Sequence, residues 1–307
     1  MRSRVIVEAP ASSANLGAGF DVFALALGRP KDRLKLTRTK SGIELSVLGA
    51  KLPTTPQRNV VGAVTRAVMT GEKVRGGVLL TLRKGVPVGA GLGSSAASSA
   101  AAVVGMNALF DLELPNKKQI EYAGVGERIA SGAAHYDNVT ASLFGGFVLV
   151  SKDKSFTRID TPHGLVLCLV VPRLKLPLQK TRFARSLLPK RLSVDEAVAA
   201  VNAASRMVYG LAQNSIEEFG AAMNGGFVDH YRSVMIPGFE HVKEAAMKSG
   251  AAGVCISGAG PAMLAAAKRS KAKNVFDSMT DAFEKEGVKS EGFITRVGGG
   301  SRVIEQE

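Results

Sequence analysis

The stretch PVGAGLGSSAAS, Pro87 to Ser98, constrains this chain more than any other. Before it runs VLLTLRK, with the spacing of a strand; after it an Ala-rich run reads as a helix from about Ser94 to Phe110. The glycines at 89, 91 and 93 leave a loop so bare that a ligand can lie directly against the backbone. The start of the following helix adds unpaired N–H groups and the positive end of a helix dipole. That combination holds phosphate. Taken alone, the loop serves equally well as a tight strand-to-helix turn packed with small residues. Two familiar phosphate loops are excluded. No Lys follows Gly93, as Gly-x-x-x-x-Gly-Lys-Ser/Thr requires, and the glycine spacing does not fit Gly-x-Gly-x-x-Gly.

A chain of 307 residues exceeds the usual single core, so two domains are expected: 1–171, and 172–307 after Pro172, where the composition turns helical. Strands and helices are interspersed without strict alternation, which gives α+β rather than a doubly wound sheet. RVIVEAP (Arg4 to Pro10) reads as a strand and ASSANLGAGFD as a loop. RLKLTRT and IELSVLG, alternating around KSG, read as a half-exposed hairpin. NVVGAVTRAVMTG and Asn116 to Gly132 are expected helices, and GLVLCLVV a buried strand.

No apolar run reaches the roughly 20 residues that span a bilayer. RSRVIVEAP after Met1 has no apolar signal region, so a cytoplasmic protein with no membrane partner is expected. Cys168 and Cys255 sit in apolar runs without a Cys or His partner and read as buried thiols. Forty Lys+Arg against 26 Asp+Glu give a net charge of +14, which favours anionic partners. The basic residues are scattered, as in RPKDRLKLTRTK, and read mostly as solvated surface. With no Trp and only 6% aromatics there is little to stack on single-stranded nucleic acid, so no nucleic-acid partner is expected.

Two more small-residue loops accompany the first. PASSANLGAGFD lies near the start of the chain and CISGAGPAML near its end. The three in this order resemble the GHMP kinase superfamily over essentially the whole chain, far more specifically than any one loop. The resemblance implies a two-domain α+β fold, the first domain of a shape also found in ribosomal proteins and the second ferredoxin-like. HYDNV (His135 to Val139), KTRFARSLLP and HYRSVMIPGFE resemble segments of the homoserine kinases within that superfamily. Tyr136 stands where Pro is common there.

The resemblance implies ATP and Mg²⁺ as cofactors, homoserine as the small-molecule substrate, a place in threonine synthesis, and allows a homodimer. On the matching positions the nucleotide's phosphates fall to Pro87, Val88, Gly89, Ala90, Gly91, Leu92, Gly93, Ser94, Ser95, Ala96 and Ala97. Ser95 and Glu127 are the candidate magnesium ligands, since that ion takes few protein oxygens beside phosphate and water; without the resemblance they read as a helix cap and a solvated helix face. Homoserine carries an amine, a carboxylate and the reacting hydroxyl. Asp21 suits the amine, and Arg185 and Arg232 suit the carboxylate, for which a planar guanidinium is well shaped. Asn15, His135, Asn138, Thr181 and Gly258 are carried over as further substrate contacts. Asp137 corresponds to the catalytic Asp of mevalonate-type relatives, and Asn138 is its companion in the catalytic set. In homoserine kinases the hydroxyl proton can instead leave late, to phosphate, and an Asp beside an Asn also fits a plain turn. The competing readings are another small-alcohol kinase of mevalonate type and a nucleic-acid-binding protein built on the first domain's shape.

Overall fold

Two sheets organise the chain, and the loops that matter lie where they meet. The computed structural model describes residues 2–175, 177 and 180–307. Its first part comprises β1 (Arg4–Asn15), β2 (Gly19–Thr39), β3 (Gly42–Leu48), α1 (Val60–Gly71), β4 (Gly77–Arg83), α2 (Ser94–Phe110), α3 (Asn116–Ser131), α4 (Tyr136–Phe144), β5 (Phe147–Val150) and β6 (Phe156–Ile159). Then follow β7 (Leu165–Pro172), α5 (Lys180–Ser186), α6 (Val194–Ala212), α7 (Ile216–Met223), α8 (Phe227–Arg232) and α9 (Phe239–Lys248). The chain ends with β8 (Ala251–Ile256), β9 (Met263–Lys268), α10 (Ala272–Lys285), β10 (Ser290–Thr295) and β11 (Arg302–Gln306).

The first sheet has the order β11-β1-β2-β4-β3, with β5 pairing on β2 and β6 on β5. The second runs β10-β7-β9-β8, entirely antiparallel. Counted along the chain that is fourth, first, third, second, the strand order of a ferredoxin-like domain. The α+β fold expected of the chain is the one observed.

The expected hairpin is not formed. β4 lies between β2 and β3, antiparallel to β2 and parallel to β3 with Gly42 opposite Gly77. Parallel neighbours need a crossover, and α1 supplies it. Alternating residues show that a strand has one buried face, but they do not name its neighbour. The break expected at Pro172 falls at the end of β7, which is hydrogen-bonded within the second sheet, while β11 returns to pair with β1 in the first. ASSAN, expected as loop, continues β1 to Asn15; its small residues permit the bulges at Pro10/Ser12 and Ala14/Asn15 that re-aim the strand.

The Ala-rich composition of α2 follows from its surroundings. It packs on β1, β2, α1, α3 and α4, and eleven of its residues are buried, spread around the helix rather than along one stripe. Leu36 of β2 is seated so tightly on Gly105 that a β-carbon there would collide with it. Fully buried Leu34, Leu36, Leu80 and Leu82 each contribute about 1.5–3 kcal/mol to this core. The helix start at Ser94 is thereby fixed in space.

Candidate active site

The three small-residue loops meet. Ser12 N–H donates to Leu92 O at 3.1 Å, Gly258 N–H to Ala14 O at 3.1 Å, and Ala262 N–H to Ala90 O at 3.0 Å. Ser257 Oγ donates to Gly91 O at 2.8 Å and lies 2.8 Å from Ser13 Oγ. Bare residues allow this approach. A β-carbon on Gly91 would stand 2.5 Å from Ser257 O and 2.6 Å from Gly260 O; one on Gly93 would strike Ser12 Oγ. HYDNV joins the same junction, for Ser12 Oγ donates to Asn138 Oδ1 at 2.8 Å.

A buried ion pair braces the Gly-rich loop. Asp32 Oδ1 accepts from Gly85 N–H and Val86 N–H, both at 3.0 Å, and Ser98 Oγ donates to Asp32 Oδ2 at 2.7 Å. Lys84 pairs with the same carboxylate and donates to Ser94 O and Ser98 Oγ, each at 3.0 Å. The two side chains are 0% and 3% exposed, and burial lowers the Lys84 pKa against the opposing pull of Asp32. The strand end and the helix start are thus locked together across the loop.

In front of the loop opens a cavity of about 960 Å³, within the range of small-ligand sites. It is lined by Val88, Gly89, Gly91, Gly93, Ser94 and Ser95 together with Asn15, Asp21, His135, Thr181, Arg185, Arg232 and Gly258, and by Glu127, Asp137 and Asn138. Ala90, Leu92, Ala96 and Ala97 are buried, their side chains packing the loop's underside, and Pro87 is exposed beside the opening.

In the same cavity Arg185 forms an ion pair with Asp21, and its Nη1 lies 2.7 Å from His135 Nε2. The Phe20 ring lies 5.3 Å from the Arg185 guanidinium and 5.4 Å from that of Arg232, cation–π spacing for both. Arg232 is buried and donates to Gly258 O at 2.9 Å and Ala184 O at 3.1 Å. Asn15 Nδ2 donates to the same Gly258 carbonyl at 2.9 Å, while its Oδ1 accepts from Asp21 N–H at 3.1 Å. Burial, with Arg185 and Arg232 adding to it, lowers the His135 pKa; Asp21 opposes.

Two buried carboxyls line the same cavity. Burial pushes Asp137, in the first turn of α4, up to about 7, although Asn138 N–H donates to it at 2.6 Å. Asp137 is thus helical, not in a plain turn. Burial also pushes Glu127 up to about 7; Ser95 pulls it down and Asp137 pushes it further up. Glu127 Oε1 is buried with no hydrogen-bond partner. A buried carboxylate oxygen left without a donor costs about 1–3 kcal/mol. An oxygen so placed, beside a hydroxyl, suits a hard cation that completes its shell with phosphate and water. No group of three or more His, Cys, Asp or Glu able to hold a metal occurs among the described residues, so the residues fit a shared metal and not a caged one.

Residues 59–146 match the family model for the GHMP kinases N terminal domain, and residues 207–285 that for GHMP kinases C terminal. A homoserine kinase of Haloquadratum walsbyi is 40% identical over 300 residues, 97% of this chain and 99% of that protein. One from Methanococcus maripaludis is 35% identical over 308 residues, 99% of each. The chain belongs to the homoserine kinase family of GHMP kinases. A crystal structure of homoserine kinase from Cytophaga hutchinsonii aligns with this GHMP kinase at a TM-score of 0.92 and 33% identity, covering 99% of this chain and 98% of that one. A mevalonate kinase structure at 15% identity and a TM-score of 0.73 shares the fold.

Among the residues that build this site and that sequence reasoning missed, Asp32 and Lys84 carried a signal. Asp32 falls in step with Leu34 and Leu36, so a period of two puts its carboxylate on the buried face. Phe20, Ser12 and Ser257 lay inside quoted motifs but became visible as partners only in three dimensions. Cys168 and Cys255 are buried thiols, as expected. No helix among the described residues is long and apolar enough to cross a membrane.

Proposed function

We propose that this protein transfers the γ-phosphoryl group of ATP to the hydroxyl of L-homoserine, forming O-phospho-L-homoserine for threonine synthesis. One observation carries the reading: a Gly-rich loop at a helix start and an acid–arginine cluster fitted to a zwitterion line a single cavity. The full-length likeness to homoserine kinases supports it. Phosphoryl transfer asks a protein for positioning and charge stabilisation rather than covalent chemistry.

In this reading the backbone of Gly89 to Ser95 and the start of α2 hold the triphosphate. Ser95 Oγ and the Glu127 carboxylate would hold Mg²⁺, which when bound neutralises phosphate charge. Asp21 takes the substrate's ammonium, and Arg185 and Arg232 its carboxylate, with His135 and Thr181 orienting it. Asn138 Oδ1 is engaged by Ser12, which leaves its amide nitrogen to donate to the substrate hydroxyl. Asp137, raised toward neutrality, accepts the hydroxyl proton; a base is most effective with its pKa near the working pH. The reaction is cytoplasmic in this reading.

Purified protein given ATP, Mg²⁺ and L-homoserine should release ADP and form O-phosphohomoserine. Turnover of mevalonate or another alcohol but not homoserine would overturn the acceptor and spare the kinase. Arg185→Ala and Arg232→Ala should each raise the homoserine KM about 10- to 100-fold, the cost of a hydrogen bond to a charged group, with the ATP KM nearly unchanged. Only Arg232→Ala should also lower Tm, because Arg232 is buried and ties Gly258 to Ala184 whereas Arg185 is half-exposed. Equal losses toward both substrates would refute the carboxylate role.

A further inference from the structure

Lys180 opens α5 and is buried, yet nothing assigned above uses it. Its ammonium donates to the carbonyl of Gly260. That is the carbonyl against which Gly91 of the phosphate loop is pressed. Lys180 thus sits at the seam of the phosphate loop and the Gly258–Pro261 turn, lining the same cavity as Ser95, Asn138 and Arg232.

The other cations nearby are more fully engaged. Lys84 is shut in by Asp32, Ser94 and Ser98, Arg185 is paired with Asp21, and Arg232 holds two carbonyls. An ammonium has three N–H donors, and Gly260 takes one from Lys180. A buried cation facing one carbonyl dipole, with a second cation close by, is poorly stabilised. Burial first and Arg232 second push its pKa down to about 7. An anion at the seam removes both penalties.

We propose that Lys180 is a further catalytic residue of this kinase, its ammonium binding an equatorial oxygen of the phosphoryl group in transit from the phosphate loop to the acceptor hydroxyl. The inference rests on the kinase reading above. In the step, the bond from the γ-phosphorus to the β–γ bridging oxygen breaks and a bond from that phosphorus to the substrate hydroxyl oxygen forms. The hydroxyl proton passes to Asp137, ADP leaves, and Lys180 keeps its proton throughout. Charge spread over the equatorial oxygens is what a fixed ammonium stabilises, and it does so more strongly in a water-poor site.

Lys180→Gln should lower kcat about 100- to 1,000-fold, the usual loss for one transition-state donor. The homoserine KM and the affinity for ADP should stay within about threefold, since the group acts on the transition state rather than on ground-state binding. Binding of ADP with aluminium fluoride, which mimics the phosphoryl group in flight, should weaken by the same factor as kcat. Lys180→Arg should keep measurable activity.

The pH profile separates this from a structural role. Only the ammonium form works, so kcat/KM of the wild type should fall as pH rises past the neutral range, and that alkaline limb should vanish in Lys180→Arg. The other groups of the cavity whose titration is shifted are Lys84, Glu127, His135, Asp137 and Arg232, and Asp21, Arg58, Arg128, Arg182 and Arg185 add charge to it. Lys84 is locked to Asp32 and is the same in Lys180→Arg, so a limb that vanishes in that variant belongs to Lys180. Glu127 and Asp137 act in their ionised form and give limbs of opposite sign. The His135 pKa is lowered, so its limb lies at lower pH. A kcat within threefold of wild type in Lys180→Gln, or an alkaline limb that survives in Lys180→Arg, overturns the proposal. If Lys180→Gln fails to fold, Lys180→Arg alone decides through its limb. Should another alcohol prove to be the acceptor, the same fall in kcat is read on that alcohol, which separates failure of this inference from failure of the acceptor assignment.

Discussion

Gly91→Ala should reduce kcat/KM by about 100-fold or more, while Gly89→Ala, two residues away in the same loop, should cost less than about 10-fold. Both glycines have a positive φ, +86° and +75°. Both variants therefore carry the backbone strain of a left-handed alanine, about 1–2 kcal/mol. The difference lies in the surroundings. Around Gly89 a β-carbon meets nothing within 4 Å, whereas at Gly91 it would stand 2.5 and 2.6 Å from two carbonyl oxygens. Those oxygens cannot step aside. Ser257 N–H is bonded to Ala262 O at 2.8 Å and Ala262 N–H to Ala90 O at 3.0 Å, so the Ser257–Pro261 turn is tied to the very loop it would have to leave. Pushing them apart also moves Lys180, which holds the Gly260 carbonyl, and Arg232, which holds that of Gly258. Homoserine affinity should therefore fall in Gly91→Ala along with ATP affinity, and in Gly89→Ala only ATP affinity should change. Steady-state kinetics with each substrate varied will show this. Equal effects of the two substitutions would mean that the loop acts through its backbone conformation alone.

The same contrast explains what the sequence could and could not reveal. Three runs of small residues were joined in one site by their resemblance to the GHMP kinases and not by their bareness, and ASSAN, expected as loop, continues β1. Their mutual contacts, from Gly91 to Ser257 and Gly260 and from Gly93 to Ser12, are the physical reason for that bareness. Helix α2 was legible from its alanines, and Asp21 and Arg185 were named through the resemblance of their segments to the homoserine kinases, without any sign that they pair. Pairing partners were not. RLKLTRT and IELSVLG alternate as a hairpin does, and only the placing of β4 between them separates the two. At Pro172 the change in composition says nothing of sheets, since β7, which ends there, takes its place from its hydrogen-bond neighbours β9 and β10. Charge read as a bulk property concealed the rest. Asp32, Lys84 and Lys180 were counted among scattered charges, although each is buried, because net charge is silent on which side chains leave water.

Asp32→Ala should be among the most destabilising substitutions in the chain, about 3–5 kcal/mol, the cost of removing one partner of a buried ion pair. Lys84→Met should cost less, and the double variant should be more stable than Asp32→Ala alone. The asymmetry follows from the hydrogen bonds. Without Lys84, the Asp32 carboxylate still accepts from Gly85 N–H, Val86 N–H and Ser98 Oγ. Without Asp32, two backbone N–H groups lose their acceptor and an ammonium 3% exposed has only Ser94 O and Ser98 Oγ left. Removing the ammonium as well takes away the larger of those penalties, so the two substitutions cannot be additive. Urea unfolding will rank the three variants. pH supplies a second check. The Lys84 pKa is already lowered by burial, and losing Asp32 removes the group that opposes this. The folded pKa of Asp32→Ala then lies below the unfolded value, so the unfolded chain binds more protons and stability rises with pH through the folded pKa. The deficit of Asp32→Ala should accordingly shrink as the solution is made alkaline, whereas that of Lys84→Met should not. Because the pair fixes Gly85 and Val86 at one end of the phosphate loop and Ser94 at the other, nucleotide affinity should fall in parallel with stability in Asp32→Ala. Full nucleotide affinity in a destabilised Asp32→Ala would show that the loop holds its shape through the Ser12, Ser257 and Ala262 contacts alone.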